Sequence, residues 1–144
     1  MTDYMLYAAT SCNSLGLVAA TVIYDKYLNA PYLWGGKSPF GIDCSGFAQM
    51  VFKICGYKLS RDSSQQVTQG KAVASLEEAR PGDLAFFINA ENKINHVGII
   101  LPEHKIIHAS GRVRIDYLHE DGILTADTKI YTHPLSQIRR IIQE

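Results

Sequence analysis

The sequence predicts an α+β domain, with helices packed on one face of an antiparallel sheet. Three observations point there. Apolar residues recur at helical spacing in the first third of the chain, while after Asp83 the pattern becomes a series of short extended runs separated by polar turns. The 144 residues suffice for one hydrophobic core.

Residues 1–14 read as an irregular lead-in and 15–144 as a single domain. From Leu15 to Leu28, apolar side chains at 15, 18, 19, 22, 23 and 27 predict a helix, which Asn29-Ala30-Pro31 ends. The stretch PYLWGGKSPFGIDCSGF (31–47) follows, a glycine-rich loop that delivers Cys44 to the first turn of a helix reaching about Ile54 and closed by Gly56. Arg61 to Gln66 has the form of a helix start, with Asp62 or Ser63 as N-cap and Gln65 or Gln66 in the capping-box position. Arg80-Pro81-Gly82-Asp83 makes a turn. Strands are predicted over Asp83–Ile88, Asn95–Leu101, Lys105–Ser110 and Val113–Leu118, with Ile138–Ile142 as an edge or closing strand, in a sheet of five to six strands.

Composition narrows the function classes. Hydrophobic residues at 47% and charged residues at 19% describe a folded globule. Fourteen basic and fourteen acidic side chains cancel, so no electrostatic footprint for nucleic acid exists. No window predicts membrane insertion and no signal peptide is recognised, which leaves the compartment open between cytoplasm and cell envelope. Three cysteines are an odd, sparse set, so no disulfide framework is expected: Cys55 reads as a core residue and Cys12 carries no signal. No cofactor or metal is expected, and oligomeric state is not legible.

The chemistry centres on Cys44. At a helix N-terminus the unpaired N–H groups and the dipole favour an anion, which predicts a thiol that ionises more easily than a free one. Of the five histidines, His104, His119 and His133 fall in turns or polar segments and read as solvated. His96 and His108 sit inside apolar strands, NHVGII and KIIHAS, where a polar ring requires a partner. For the two rings to share a face across an antiparallel hairpin, the index sum of paired residues must be even. A three-residue loop over 101–103 satisfies this and sets 96 opposite 108. Cys44 would then attack as thiolate, with His96 as its ion-pair partner and acid to the leaving amine, and His108 fixing the His96 tautomer. The Cys44 backbone N–H would help to hold an oxyanion.

These residues, together with PYLWGG, DCSGF, RPGDLAFF, HVGII and IIHAS in this order, resemble the NlpC family of papain-like cell-wall cysteine peptidases over residues 16 to 142. The resemblance implies a papain-like fold, catalytic Cys44, His96 and His108, and Tyr32 on the oxyanion side. RDSSQQ is similar to the subgroup that cleaves between γ-D-glutamate and the diamino acid of peptidoglycan stem peptides with a free N-terminal L-alanine. That implies a substrate cleft formed by Tyr32, Trp34, Asp43, Ser45, Asp62 and Ser63, with Arg61 as a second carboxylate partner or a structural salt bridge. The partner implied is the stem peptide L-Ala-γ-D-Glu-diamino acid, in murein turnover. The SH3-like domains of that subgroup have no counterpart in this sequence. Three other readings stay open: an amidase or acyltransferase using the same residues, an idle peptidoglycan-binding module, and a zinc site built from Cys44, His96 and His108.

Overall fold

The computed structural model describes residues 26–142. The predicted lead-in, Cys12 and all but the end of the predicted helix over 15–28 lie outside the described residues.

Helix α1 (Cys44–Ile54) starts where the sequence places it because Asp43 adopts an extended N-cap conformation and its carboxylate accepts the Gly46 N–H at 2.7 Å. Phe47, Ala48, Val51 and Phe52 recur at helical spacing and are buried, while Lys53 stands in the last turn, where a cation suits the dipole. Gly56 follows the C-cap with φ of 86°, the left-handed position that ends the helix. Helix α2 (Ser63–Gln66) is a single turn with Asp62 as N-cap, and Gln65 Oε1 accepts the Asp62 backbone N–H at 3.3 Å.

A two-stranded hairpin, β1 (Lys37–Ser38) with β2 (Gly41–Ile42), precedes α1. The main sheet contains β3 (Lys71–Val73), β4 (Leu84–Ile88), β5 (Ile94–Leu101), β6 (Lys105–Ser110), β7 (Arg112–His119), β8 (Gly122–Leu124) and β9 (Leu135–Arg140). Its order is β3-β9-β4-β5-β6-β7-β8, and every pairing is antiparallel. This is the expected α+β architecture with seven strands rather than five or six. The unforeseen strands, β3 and β8, have three residues each, too short for a period-2 pattern to declare itself. The last strand begins and ends earlier than expected and is not an edge, because β3 covers its outer side.

The central strands β4, β5 and β6 are buried on both faces. Leu84, Phe86, Val97, Ile99, Leu101, Ile107 and Ala109 pack against Phe47, Ala48, Val51 and Phe52 of α1. The alternate positions, Ala85, Phe87, Ile100 and Ile106, form a second cluster with Leu118, Ile123 and Ile138. Sealing a phenylalanine such as Phe47 or Phe86 from water contributes roughly 1.5–3 kcal/mol, and truncating one to alanine costs about 3–5. The RPGD turn is held by Asp83, whose carboxylate accepts the Arg80 backbone N–H at 2.8 Å and both Nε and Nη2 of Arg140 at 2.9 Å, tying the turn to β9. Cys55 is buried as expected but is disulfide-bonded, which corrects its reading as a simple core thiol. Cys44 is a free thiol. Among the described residues no helix is long and apolar enough to cross a membrane.

Candidate active site

The turn that presents Cys44 is built from the residues around it. Asp43 lies 7% exposed, and both its oxygens are occupied from within: Oδ1 by the Gly46 N–H and by Arg61 Nη1 at 3.0 Å, Oδ2 by the Gly35 N–H and Arg61 Nη2, each at 2.9 Å. Burial opposes its ionisation, but Arg61 and the two backbone donors outweigh that and hold the carboxyl below its ordinary range. Arg61 also donates to Ser45 Oγ at 3.0 Å. Gly46 is required by space: a Cβ there would stand 2.6 Å from the Gly36 carbonyl oxygen and 2.7 Å from Asp43 Oδ1. The fully buried Gln66 donates to the Ser45 carbonyl at 3.1 Å and the Ser60 carbonyl at 2.8 Å, which ties α2 to the start of α1. Asp43, Ser45 and Arg61, expected in the substrate cleft, are thus engaged mainly with one another. Of the other expected cleft residues, Tyr32 and Trp34 are exposed on the loop before β1, Asp62 is exposed and Ser63 is buried at the first position of α2.

His96 and His108 meet as the parity argument requires, by a different register. Leu101 pairs with Lys105, so the loop is 102–104, and Gly98, not His96, stands opposite His108. The histidines are diagonal neighbours on one face, close enough for ring contact: His96 Nε2 lies 2.8 Å from His108 Nδ1. His108 pairs with Arg114 across β6 and β7, and Asp116, two residues further on that face, lies with Oδ2 2.7 Å from His108 Nε2.

This chain of contacts fixes the protons. Burial opposes ionisation of Asp116, but hydrogen bonds from His108, from Arg114 at 2.7 and 3.0 Å, and from the Ala126 N–H at 2.9 Å hold its carboxyl far below the ordinary range. An ionised carboxylate only accepts, so His108 carries its proton on Nε2. Burial keeps His108 neutral despite Asp116, so its Nδ1 is an acceptor. His96 therefore donates from Nε2, and Nδ1 is left with its lone pair as the basic nitrogen. Both linking nitrogens face each other, and the other nitrogen of His108 faces Asp116: the geometry of a hydrogen-bond relay, not of two ligands converging on one ion.

Cys44 and His96 line one cleft of about 320 Å³ with Tyr32, Asn95, Ser110 and His133. The sulfur sits beside the start of β5, 3.9 Å from the Asn95 carbonyl oxygen. Burial pushes the Cys44 thiol up from its ordinary value, and the backbone N–H groups of Val97, Ser45 and Cys44 only partly offset this. Burial also pushes His96 well down, assisted by His108 and His133. Both shifts favour the neutral thiol beside the neutral imidazole, contrary to the expected resting ion pair: at 7% exposure, desolvation outweighs the helix N-terminus.

Asp116 and His133, like Asn95 and Ser110 of the cleft wall, were not anticipated. Asp116 had a signal, a lone acid inside the extended run VRIDYL, which burial would oblige to find a partner. His133 had none: it precedes Pro134 in a polar segment, yet its ring stacks on His96 with centroids 4.1 Å apart and planes at 26°.

The NlpC/P60 family profile matches residues 29–132. A gamma-D-glutamyl-L-lysine dipeptidyl-peptidase of Bacillus subtilis is 40% identical over 120 residues, covering 82% of this chain and 38% of that protein. A probable endopeptidase p60 of Listeria grayi is 41% identical over 98 residues, covering 67% of this chain and 19% of that one. The crystal structure of an NlpC/P60 family protein from Bacillus cereus matches with a TM-score of 0.72 at 29% identity, over 92% of this chain and 40% of that chain. The chain thus spans well under half the length of these relatives. The profile covers most of the sequence, including Cys44, His96 and His108, and with these likenesses it shows that the chain belongs to the NlpC/P60 family.

Proposed function

We propose that this protein is a cysteine peptidase that hydrolyses the γ-D-glutamyl–diamino acid bond of peptidoglycan stem peptides with a free N-terminal L-alanine, with residues 15–144 as one catalytic domain. The observation that carries the reading is the relay His96–His108–Asp116 ending in a cleft shared with the free thiol of Cys44. The substrate class is supported by the name of the Bacillus subtilis relative and by the RDSSQQ segment, whose Gln66 is bonded to the Ser45 carbonyl beside Cys44.

In this mechanism His96 Nδ1 removes the Cys44 proton as the sulfur attacks the γ-carbonyl of D-glutamate. The oxyanion forms toward the Tyr32 hydroxyl and the Cys44 backbone N–H. The positive charge on His96 is stabilised through neutral His108 by ionised Asp116. The C–N bond breaks, the imidazolium gives its proton to the departing amine, and a thioester remains on Cys44. Water deprotonated by His96 then attacks the thioester, releasing the free γ-carboxylate and restoring the thiol. Asp62, exposed at the start of α2, is the carboxylate for the L-alanine ammonium, with Ser63 beside it; Trp34 and Tyr32 supply apolar walls, and Asp43, Ser45 and Arg61 hold the nucleophile turn.

Incubation with L-Ala-γ-D-Glu-meso-diaminopimelate, its L-lysine analogue and the N-acetylated form of each, followed by mass spectrometry, tests the reading. Release of the diamino acid from the free-amine peptides alone is expected. Equal cleavage of the acetylated peptides would overturn the free-amine assignment, and cleavage at another bond would overturn the reaction.

A further inference from the structure

We propose that His133 is a positioning residue for His96: its ring, stacked on the imidazole, fixes the plane of that ring in the cleft it shares with Cys44 and shields the stacked face from water. The inference rests on the hydrolase reading of the same cleft. A hydrogen bond from His96 Nε2 to His108 holds the His96 ring at one nitrogen, and one such contact does not by itself define the plane of the ring. Two aromatic neighbours constrain that plane, His133 with centroids at 4.1 Å and 26°, and Phe87, the cross-strand partner of His96, at 5.7 Å and 48°.

His133 is itself held in place. Its Nδ1 lies 2.9 Å from Thr132 Oγ1, its carbonyl accepts the Ile123 N–H at 3.2 Å, and its ring meets the edge of Phe87 at 6.1 Å. The segment carrying it approaches β8 so closely that a Cβ on Gly122, at φ of 135°, would stand 2.2 Å from the His133 carbonyl oxygen. Burial lowers His133 to about 4, so its ring is uncharged when His96 accepts the thiol proton, and the stack is neutral on cation rather than cation on cation. The other groups around His96 are His108 from β6, backed by Asp116 and Arg114 of β7, and Cys44 of α1, which lines the same cleft. None of them covers the ring as His133 does.

The test is the pH-rate profile of Cys44 alkylation by iodoacetamide in the parent, His133→Ala and His133→Phe proteins, with kcat and KM for the stem peptide in parallel and melting curves to verify folding. His133→Ala is expected to slow neutral-pH alkylation and kcat by about tenfold, as misplacement of a reacting group does, and to move the acid limb to higher pH because His96 is rehydrated. His133→Phe, which restores a stacked ring without a titrating nitrogen, is expected to recover kcat and the acid limb, with KM unchanged in both. Phenylalanine behaving like alanine, a rise in KM alone, or a folded alanine variant with the parent's profile would each overturn the proposal. The alkylation readout needs no peptide, so a parent protein that fails to cleave the peptide would sink the hydrolase reading without deciding the role of His133.

Discussion

His96 Nε2 and His108 Nδ1 stand 2.8 Å apart from diagonal positions on β5 and β6, and His108 Nε2 stands 2.7 Å from Asp116 Oδ2 on β7. Three adjacent strands thus carry one hydrogen-bonded line that determines which nitrogen of His96 is basic. Replacing Asp116 with Asn puts a group that can also donate beside His108 and removes the reason for a single tautomer. The expected result is a loss of at least about tenfold in kcat with little change in KM, because a fraction of the protein then carries the His96 proton on the wrong nitrogen. Steady-state kinetics on the stem peptide check this; an unchanged kcat would mean that the tautomer is fixed elsewhere.

Arg61 separates a structural from a substrate role. Its guanidinium grips both oxygens of a nearly buried Asp43. Arg61→Ala is expected to destabilise the protein by about 1.5–3 kcal/mol, the range for hydrogen bonds to a charged group, and Arg61→Lys to recover less than half of that because it lacks the planar fork. Urea denaturation reads this directly. Undiminished stability with a raised KM would instead make Arg61 a substrate ligand.

Stability should fall in mild acid. His96, His108 and His133 are all lowered from the ordinary 6.5, His133 to about 4, so below about 6.5 the unfolded chain binds more protons than the folded one. The sign is therefore a loss of stability as pH falls through 6.5 toward the folded-state values, up to about 1.4 kcal/mol per pH unit for each histidine. Asp116 adds a further loss in stronger acid, below the unfolded carboxylate value. Urea midpoints at pH 7.5 and 5.5 check this, the lower midpoint being expected at pH 5.5. Equal midpoints would contradict it.

The raised thiol and lowered imidazole predict that Cys44 rests as a neutral thiol. Thiolate absorbance in the ultraviolet, measured as the difference between the parent and Cys44→Ser, should be absent at pH 7 and emerge only above the ordinary cysteine value. A thiolate signal already present at pH 6 would show a preformed ion pair instead.

Much of this was legible in the sequence. The start of α1 could be placed because Asp43, the spacing of Phe47, Ala48, Val51 and Phe52, and Gly56 agree on one helix. The histidine pair could be placed because side chains alternate with period two, so any three-residue loop between the strands puts both rings on one face. The register itself was not legible: Glu103 and His104 both adopt left-handed backbone conformations, at φ of 63° and 58°, which moves the loop to 102–104. The upward shift of the Cys44 thiol escaped because a helix start is visible in a sequence and the depth of its burial is not. His133 escaped because only the Gly122 turn and the path into β9 bring it over His96.

The most direct measurement is to mix the protein with L-Ala-γ-D-Glu-diamino acid peptide, quench in acid during turnover, digest, and weigh the fragment that carries Cys44. The account predicts an L-Ala-γ-D-Glu thioester on Cys44, with neither adduct nor released diamino acid in Cys44→Ala. Release of the diamino acid by the Cys44→Ala protein at the parent's rate, with no adduct in the parent, would contradict it.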